Sequence, residues 1–191
     1  LQAQIDWLHH RFSIDELSLE PERNCLLTAG SREGITFTLR AATELAVQRG
    51  ITKPKALIPN PFYHTYVGAA LSAGAEPVVV NSDAETNFLP DYLSLPDHIW
   101  DQTAVVIFCS PANPQGSVAS KDTLSSLITK ARKHGAVVLF DECYNELYRD
   151  TPPNSALETL GQNLENVLVA HSLSKRSSAA GLRMGFLTGD A

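Results

Sequence analysis

Short apolar runs alternate along the chain with longer amphipathic stretches. The runs are Cys25–Thr28, Lys55–Ile58, Pro77–Val80, Ala104–Cys109, Ala136–Phe140, Val167–Ala170 and Gly185–Thr188. Most are rich in Val, Ile and Leu without strict alternation, the pattern of strands covered on both faces. Between them, Arg32–Arg49, Tyr63–Ala73 and Lys121–His134 carry helical periodicity. They end beside Gly50, Gly74 and Gly135, the residue type that most often follows a helix. Leu1–Phe12 also reads as a helix, with Ile5, Leu8 and Phe12 on one face. The alternation predicts an α/β fold, a mostly parallel sheet flanked by helices on both faces. Asn81–Asp101 has no regular pattern and, punctuated by Pro90 and Pro96, is expected to be a crossover loop.

In such a sheet ligands collect beyond the carboxyl ends of the strands. The residues that follow five of the apolar runs are Ala29–Arg32, Asn60–Tyr63, Ser110–Pro114, Asp141–Tyr144 and His171–Lys175. Each group carries polar or aromatic side chains, so the pattern predicts one composite site along one sheet edge. The 191 residues allow one full domain with a sizeable core and are too few for two ordinary ones. The missing initiator Met and a stop just after a strand-like run lead us to expect a piece of a longer protein.

Composition narrows the partners. The chain is 43% hydrophobic and 19% charged, with a net charge of −6. No basic run or basic–aromatic stripe suggests nucleic acid, and no apolar stretch approaches the roughly 20 residues that span a bilayer. Cys25, Cys109 and Cys143 are widely spaced and odd in number, as expected of buried thiols in a reducing, cytoplasmic setting. The six histidines are scattered, and neither they nor Asp141 with Glu142 give a recognised metal-ligand spacing, because adjacent strand residues face opposite sides. No metal is expected.

A lone Lys at a strand end is usually a solvated surface residue. Lys175, however, follows Ser172 and Ser174 and precedes Arg183, and Ser and Arg suit a phosphate dianion. Gly30-Ser31-Arg32 lies where a strand turns into a helix, so its backbone N–H groups are suited to the same anion. It is neither the dinucleotide fingerprint nor a P-loop. Asp141 directly follows a buried run, at the mouth of the expected site.

Four motifs, in this order, carry a resemblance. They are Ser110-Pro-Ala-Asn113-Pro114-Gln-Gly116, Asp141-Glu-Cys-Tyr144, Ser172-Leu-Ser-Lys175 and Gly181-Leu-Arg183-Met-Gly185-Phe. Together they resemble the fold-type I, pyridoxal-phosphate-dependent aminotransferases of class I/II, from about Trp7 to Gly189. By that resemblance Lys175 is the lysine that holds the cofactor covalently and then shuttles a proton between Cα and C4′. Asp141 is the partner of the pyridinium nitrogen. Asn113 and Tyr144 bond the cofactor's 3′ oxygen, and Tyr63, rather than Tyr66, stacks on the ring. Ser31, Arg32 (through its backbone N–H), Ser172 and Arg183 form the phosphate cradle, while Pro114 and Gly116 shape their loop.

Further stretches, among them Gly30-Ser-Arg-Glu-Gly34, Asn60-Pro-Phe-Tyr63 and Asp141-Glu-Cys-Tyr-Asn-Glu-Leu-Tyr148, are similar to the succinyldiaminopimelate aminotransferases of lysine biosynthesis. The resemblance then implies an amino-acid donor such as glutamate, the keto acid N-succinyl-2-amino-6-ketopimelate and a homodimer. It also implies that residues 1–191 are the large cofactor-binding domain. The small domain with its carboxylate-gripping arginine, an N-terminal segment and a partner's tyrosine lie outside them. The motifs frame the cofactor more than the substrate. An aspartate- or aromatic-type aminotransferase, another pyridoxal-phosphate lyase and a non-catalytic cofactor-binding regulator share them.

Overall fold

The computed structural model describes residues 1–14 and 16–191. Among them seven strands form one sheet. In chain order these are β1 (Cys25–Thr28), β2 (Lys55–Asn60), β3 (Glu76–Asn81), β4 (Thr103–Cys109), β5 (Val137–Asp141), β6 (Val167–Ser172) and β7 (Gly185–Gly189). Their order across the sheet is β1-β7-β6-β5-β4-β2-β3. Neighbours pair in parallel except at β7, which runs antiparallel to both β1 and β6. The helices are α1 (Gln2–Phe12), α2 (Pro21–Asn24), α3 (Ser31–Gln48), α4 (His64–Ala73), α5 (Asp97–Trp100), α6 (Lys121–Lys133) and α7 (Leu173–Arg176).

Successive strand residues face opposite sides, which divides the apolar side chains into two cores. On one face Ile35, Leu39 and Ala42 of α3 and Ala69 and Ala70 of α4 pack over Val105, Ile107 and Leu139. On the other, Ile5, Leu8 and Phe12 of α1 and Leu124, Leu127 and Ile128 of α6 cover Val106, Phe108, Val138 and Phe140. Fully buried Leu39 and Ile107 each contribute roughly 1.5–3 kcal/mol by leaving water. An Ile107→Asp change would put a charge into the centre of the sheet and break it. The four long helices, α1, α3, α4 and α6, end within a residue of the places the periodicity predicts, α6 starting on a Ser120 cap that accepts from Thr123 N.

Two expectations change. Asn81–Asp101 is not one irregular loop. It holds a 3-10 turn at Tyr92–Ser94 and the helix α5, and it buries Tyr92 and Trp100 completely. The Tyr92 hydroxyl donates to Ile107 O at 2.8 Å, and Trp100 Nε1 donates to Tyr92 O at 3.2 Å. Elements of three and four residues are too short to show a period, so two large anchors read as isolated apolar residues. The edge strands also depart from the doubly covered pattern: Leu26 and Leu27 of β1 and Val79 of β3 are exposed.

Topology fixes where the polar strand ends meet. Cys109 pairs with Asp141, and Asp141 with Ala170, so β4, β5 and β6 finish in step. Because β7 is reversed, its beginning lies at that same edge: Gly185 pairs with Ser172 on one side and Thr28 on the other. A Cβ on Gly185 would meet His171 O and Ser31 N, so only glycine lets β7 pass so close to the start of α3.

Candidate active site

Beyond those strand ends lies a cavity of about 430 Å³, within the size range of cofactor and small-ligand sites. All nine residues that the sequence singled out line it: Ser31, Arg32, Tyr63, Asn113, Asp141, Tyr144, Ser172, Lys175 and Arg183. Tyr66, Cys143, Ser174 and Ala180 complete the wall. Glu142 is absent from it, since the residue after Asp141 faces the other side of the sheet. There Glu142 accepts hydrogen bonds from Ala156 N and Asn145 Nδ2, both at 2.7 Å.

The excursion from Ser172 to Gly185 carries Lys175 and Arg183 together, because both of its ends are held in the β6–β7 pairing. Ser172 caps α7 by accepting from Ser174 N at 3.1 Å, and Leu173 N donates to Met184 O at 3.1 Å. Lys175 therefore sits on a one-turn helix rather than directly on a strand end, its ammonium 5.9 Å from the centre of the Tyr144 ring. Having accepted the cap bond, the Ser172 hydroxyl keeps its hydrogen to donate. Arg183 takes a left-handed conformation and turns its guanidinium back to donate to Ala180 O and Ala29 O, at 3.1 and 3.0 Å. It lies across Gly30, where any Cβ would collide with it. Gly30 contributes no side-chain cap, so the first N–H groups of α3 stay open beside Ser31 and Arg32.

Asp141 is 5% exposed. Its Oδ2 accepts from the Tyr66 hydroxyl at 2.6 Å and its Oδ1 from Cys143 N at 3.3 Å. No lysine, arginine or histidine among the described residues lies within ion-pair distance of it. A buried carboxylate needs a positive partner, and the open side of this one faces the cavity. Arg32, Lys175 and Arg183 line the same cavity, also without a carboxylate partner among the described residues. One end of the site thus suits an anion and its floor suits a cationic N–H. That charge pattern and volume fit pyridoxal phosphate, a phosphate joined to a protonatable ring.

Burial, then the charge of Asp141, holds the Tyr66 hydroxyl well above the usual tyrosine range. Burial likewise raises Tyr144, Cys143 and Cys109. Arg32 donates to the Tyr63 hydroxyl from Nε and Nη2, at 3.1 and 2.8 Å, and so fixes the Tyr63 ring in the wall. The bond from Tyr66 to Asp141 escaped the sequence reading. No local spacing signals it, because Tyr63 caps α4 in an extended conformation and the bond forms only when α4 packs over β5.

This fold, with its site on one sheet edge, is that of the fold-type I pyridoxal-phosphate enzymes. Within that class the chain belongs to the aminotransferase class I and II family, whose profile matches residues 2–191. It is 32% identical over 191 residues to an LL-diaminopimelate aminotransferase of Desulforudis audaxviator, covering 100% of this chain and 46% of the relative. A crystal structure of an aminotransferase from Neisseria meningitidis superimposes with a TM-score of 0.88 at 38% identity, covering 100% of this chain and 47% of that one. A probable N-succinyldiaminopimelate aminotransferase from Thermus thermophilus gives 0.78 at 28% identity, covering 96% and 46%. The chain spans about half the length of these relatives. The family works with pyridoxal phosphate. No helix among the described residues is long and apolar enough to cross a membrane.

Proposed function

We propose that residues 1–191 form the large, cofactor-binding domain of a pyridoxal-phosphate-dependent aminotransferase. The observation that carries this reading is Asp141, a buried carboxylate without a cationic neighbour among the described residues, on one cavity with Lys175 and Arg183. Bound there, the cofactor supplies a protonated ring that accepts the electron pair left at a substrate Cα when its proton departs. Asp141 holds the proton on the ring nitrogen. Lys175 would anchor the cofactor, and its amine would serve as the base that carries a proton between the substrate Cα and C4′. Asn113 and Tyr144 hold the 3′ oxygen, and Tyr63, braced by Arg32, covers the ring face. Ser31, the Arg32 backbone N–H, Ser172 and Arg183 hold the phosphate, Arg183 by its planar fork.

The amino group passes between an amino acid, with glutamate the expected donor, and a keto acid. The relative named for LL-diaminopimelate supports a substrate with the diaminopimelate skeleton, and the neighbour named for N-succinyldiaminopimelate supports its succinylated form, N-succinyl-2-amino-6-ketopimelate. The arginine for the substrate α-carboxylate, and a tyrosine from the second copy of a homodimer, come from outside these residues. The buried, unpaired thiols support a reducing cytoplasm.

The test uses the full-length protein with pyridoxal phosphate and borohydride. Reduction should fix the cofactor on the peptide that contains Lys175, and Lys175→Ala should abolish both the adduct and the near-visible absorbance. An adduct at the same peptide in Lys175→Ala, or none in the unmodified protein, overturns the reading. Half-reactions with glutamate, aspartate, LL-diaminopimelate and N-succinyldiaminopimelate then decide the substrate. Failure with N-succinyldiaminopimelate removes the succinylated substrate, and failure with both compounds removes the diaminopimelate skeleton, while the aminotransferase reading stands.

A further inference from the structure

Tyr66 lies on α4, outside the four motifs, and is 2% exposed. Its hydroxyl reaches Asp141 Oδ2 at 2.6 Å, the length of a strong hydrogen bond to a charged acceptor. Its ring stands edge-on to that of Tyr63, with centroids 5.7 Å apart at 87°. Tyr66, itself part of the wall, thus joins Asp141 on the floor of the cavity to Tyr63.

Two features make this bond more than packing. The groups facing Asp141 from neighbouring elements are Tyr66 on α4, Cys109 on β4, and Cys143 and Tyr144 beyond β5. All four are phenols or thiols, which carry no positive charge in either form, and burial keeps them from adding a second negative one. Besides the longer bond from Cys143 N, Tyr66 is the donor that Asp141 has among the described residues. The bond also commits Oδ2 of the carboxylate, while Oδ1 carries only the longer bond from Cys143 N.

We infer that Tyr66 is a positioning residue for the reaction: it holds Asp141 as an oriented anion, so that the shared proton stays on the ring nitrogen rather than passing to the carboxylate. This inference rests on the reading of Asp141 above. A carboxylate that accepts a hydrogen bond is a weaker base, and removing the donor makes it compete harder for that proton.

The experiment measures two quantities in the full-length protein: the dissociation constant of pyridoxal 5′-phosphate, and the ¹⁵N chemical shift of the bound, ring-labelled cofactor. Tyr66→Phe should weaken binding about threefold, because the bond is present with and without the cofactor and only its positioning of Asp141 is lost. It should also move the ¹⁵N resonance toward that of the unprotonated ring. In an Asp141→Asn background the same change should shift affinity by less than about twofold, because the residue acts through the carboxylate. Tyr66→3-fluorotyrosine keeps the shape and sharpens the donor, and should move the resonance the opposite way. An unchanged ¹⁵N shift in Tyr66→Phe, or an equal loss of affinity with and without Asp141, makes Tyr66 a packing residue and overturns the inference. If the unmodified protein forms no adduct at Lys175, the underlying reading fails instead, and the two failures are told apart.

Discussion

The guanidinium of Arg176 lies 4.0 Å from the centre of the Trp7 ring, so the helix that opens the chain touches the turn that carries Lys175. Trp7 also stands edge-on to His171, 5.3 Å away, and Arg11 pairs with Glu146 at 2.6 Å. α1 therefore braces both segments that leave the sheet toward the site. Trp7→Ala should cost about 2 kcal/mol, since the lost ring is half-buried and its cation–π contact goes with it. That corresponds to roughly 4–8 °C in Tm by thermal denaturation. Amide hydrogen exchange at residues 173–179 should quicken, while that of α6 stays as it was.

Gly30 has φ 89°, a backbone region that disfavours side chains, and the Arg183 guanidinium occupies the place where its Cβ would be. Gly30→Ala should therefore destabilise the protein by about 1–3 kcal/mol from backbone strain alone. It should also push Arg183 off the Ala29 carbonyl. Calorimetry should show the lower Tm, and a titration with pyridoxal 5′-phosphate should show weaker binding than Gly50→Ala, whose surroundings are open.

Arg183→Lys separates charge from geometry. Lysine keeps the cation but offers a point charge instead of a planar fork, and it cannot bond Ala180 O and Ala29 O while also reaching a phosphate. Affinity for pyridoxal 5′-phosphate should fall about tenfold, the loss of one charge-assisted bond. Affinity for pyridoxal without its phosphate should change little. Equal losses for both would place Arg183 outside the cradle.

The site was legible in the sequence because parallel topology forces it: polar residues that end buried runs must meet at one edge, and Asp141, Lys175 and Asn113 did. Arg183 precedes its strand rather than following one, and it joins them because β7 is reversed. What stayed hidden depends on tertiary contact. Tyr66 is one more aromatic on an apolar helix until α4 is laid over β5. Likewise, nothing in the spacing of Trp7 and Arg176, on opposite ends of the chain, announces that they touch. Tyr92 and Trp100 were missed because their elements are shorter than one helical period.

Behind the site, Glu142 and His171 give the protein an unusual pH response. Burial pushes the Glu142 carboxyl up to about 8 and lowers His171 to about 3. The two lie 4.0 Å apart, on the face of the sheet away from the cavity. For His171 the unfolded chain binds the proton more tightly, so stability rises from about pH 3 to the ordinary histidine value near 6.5 and then levels. For Glu142 the folded chain binds it more tightly, so its contribution is complete below about pH 4.5 and is lost as pH climbs toward 8. The two slopes oppose each other between about 4.5 and 6.5. Above that range the loss from Glu142 stands alone. Tm should therefore be nearly flat from pH 5 to 6.5 and decline toward pH 8. Glu142→Gln should remove the decline, because an amide does not titrate; its oxygen can still accept from Ala156 N, and the Asn145 amide must turn to present Oδ1 in place of Nδ2 to the new NH2 group. Calorimetry of both proteins from pH 5 to 9 makes the comparison. An alkaline decline that persists unchanged in Glu142→Gln would assign it to another group.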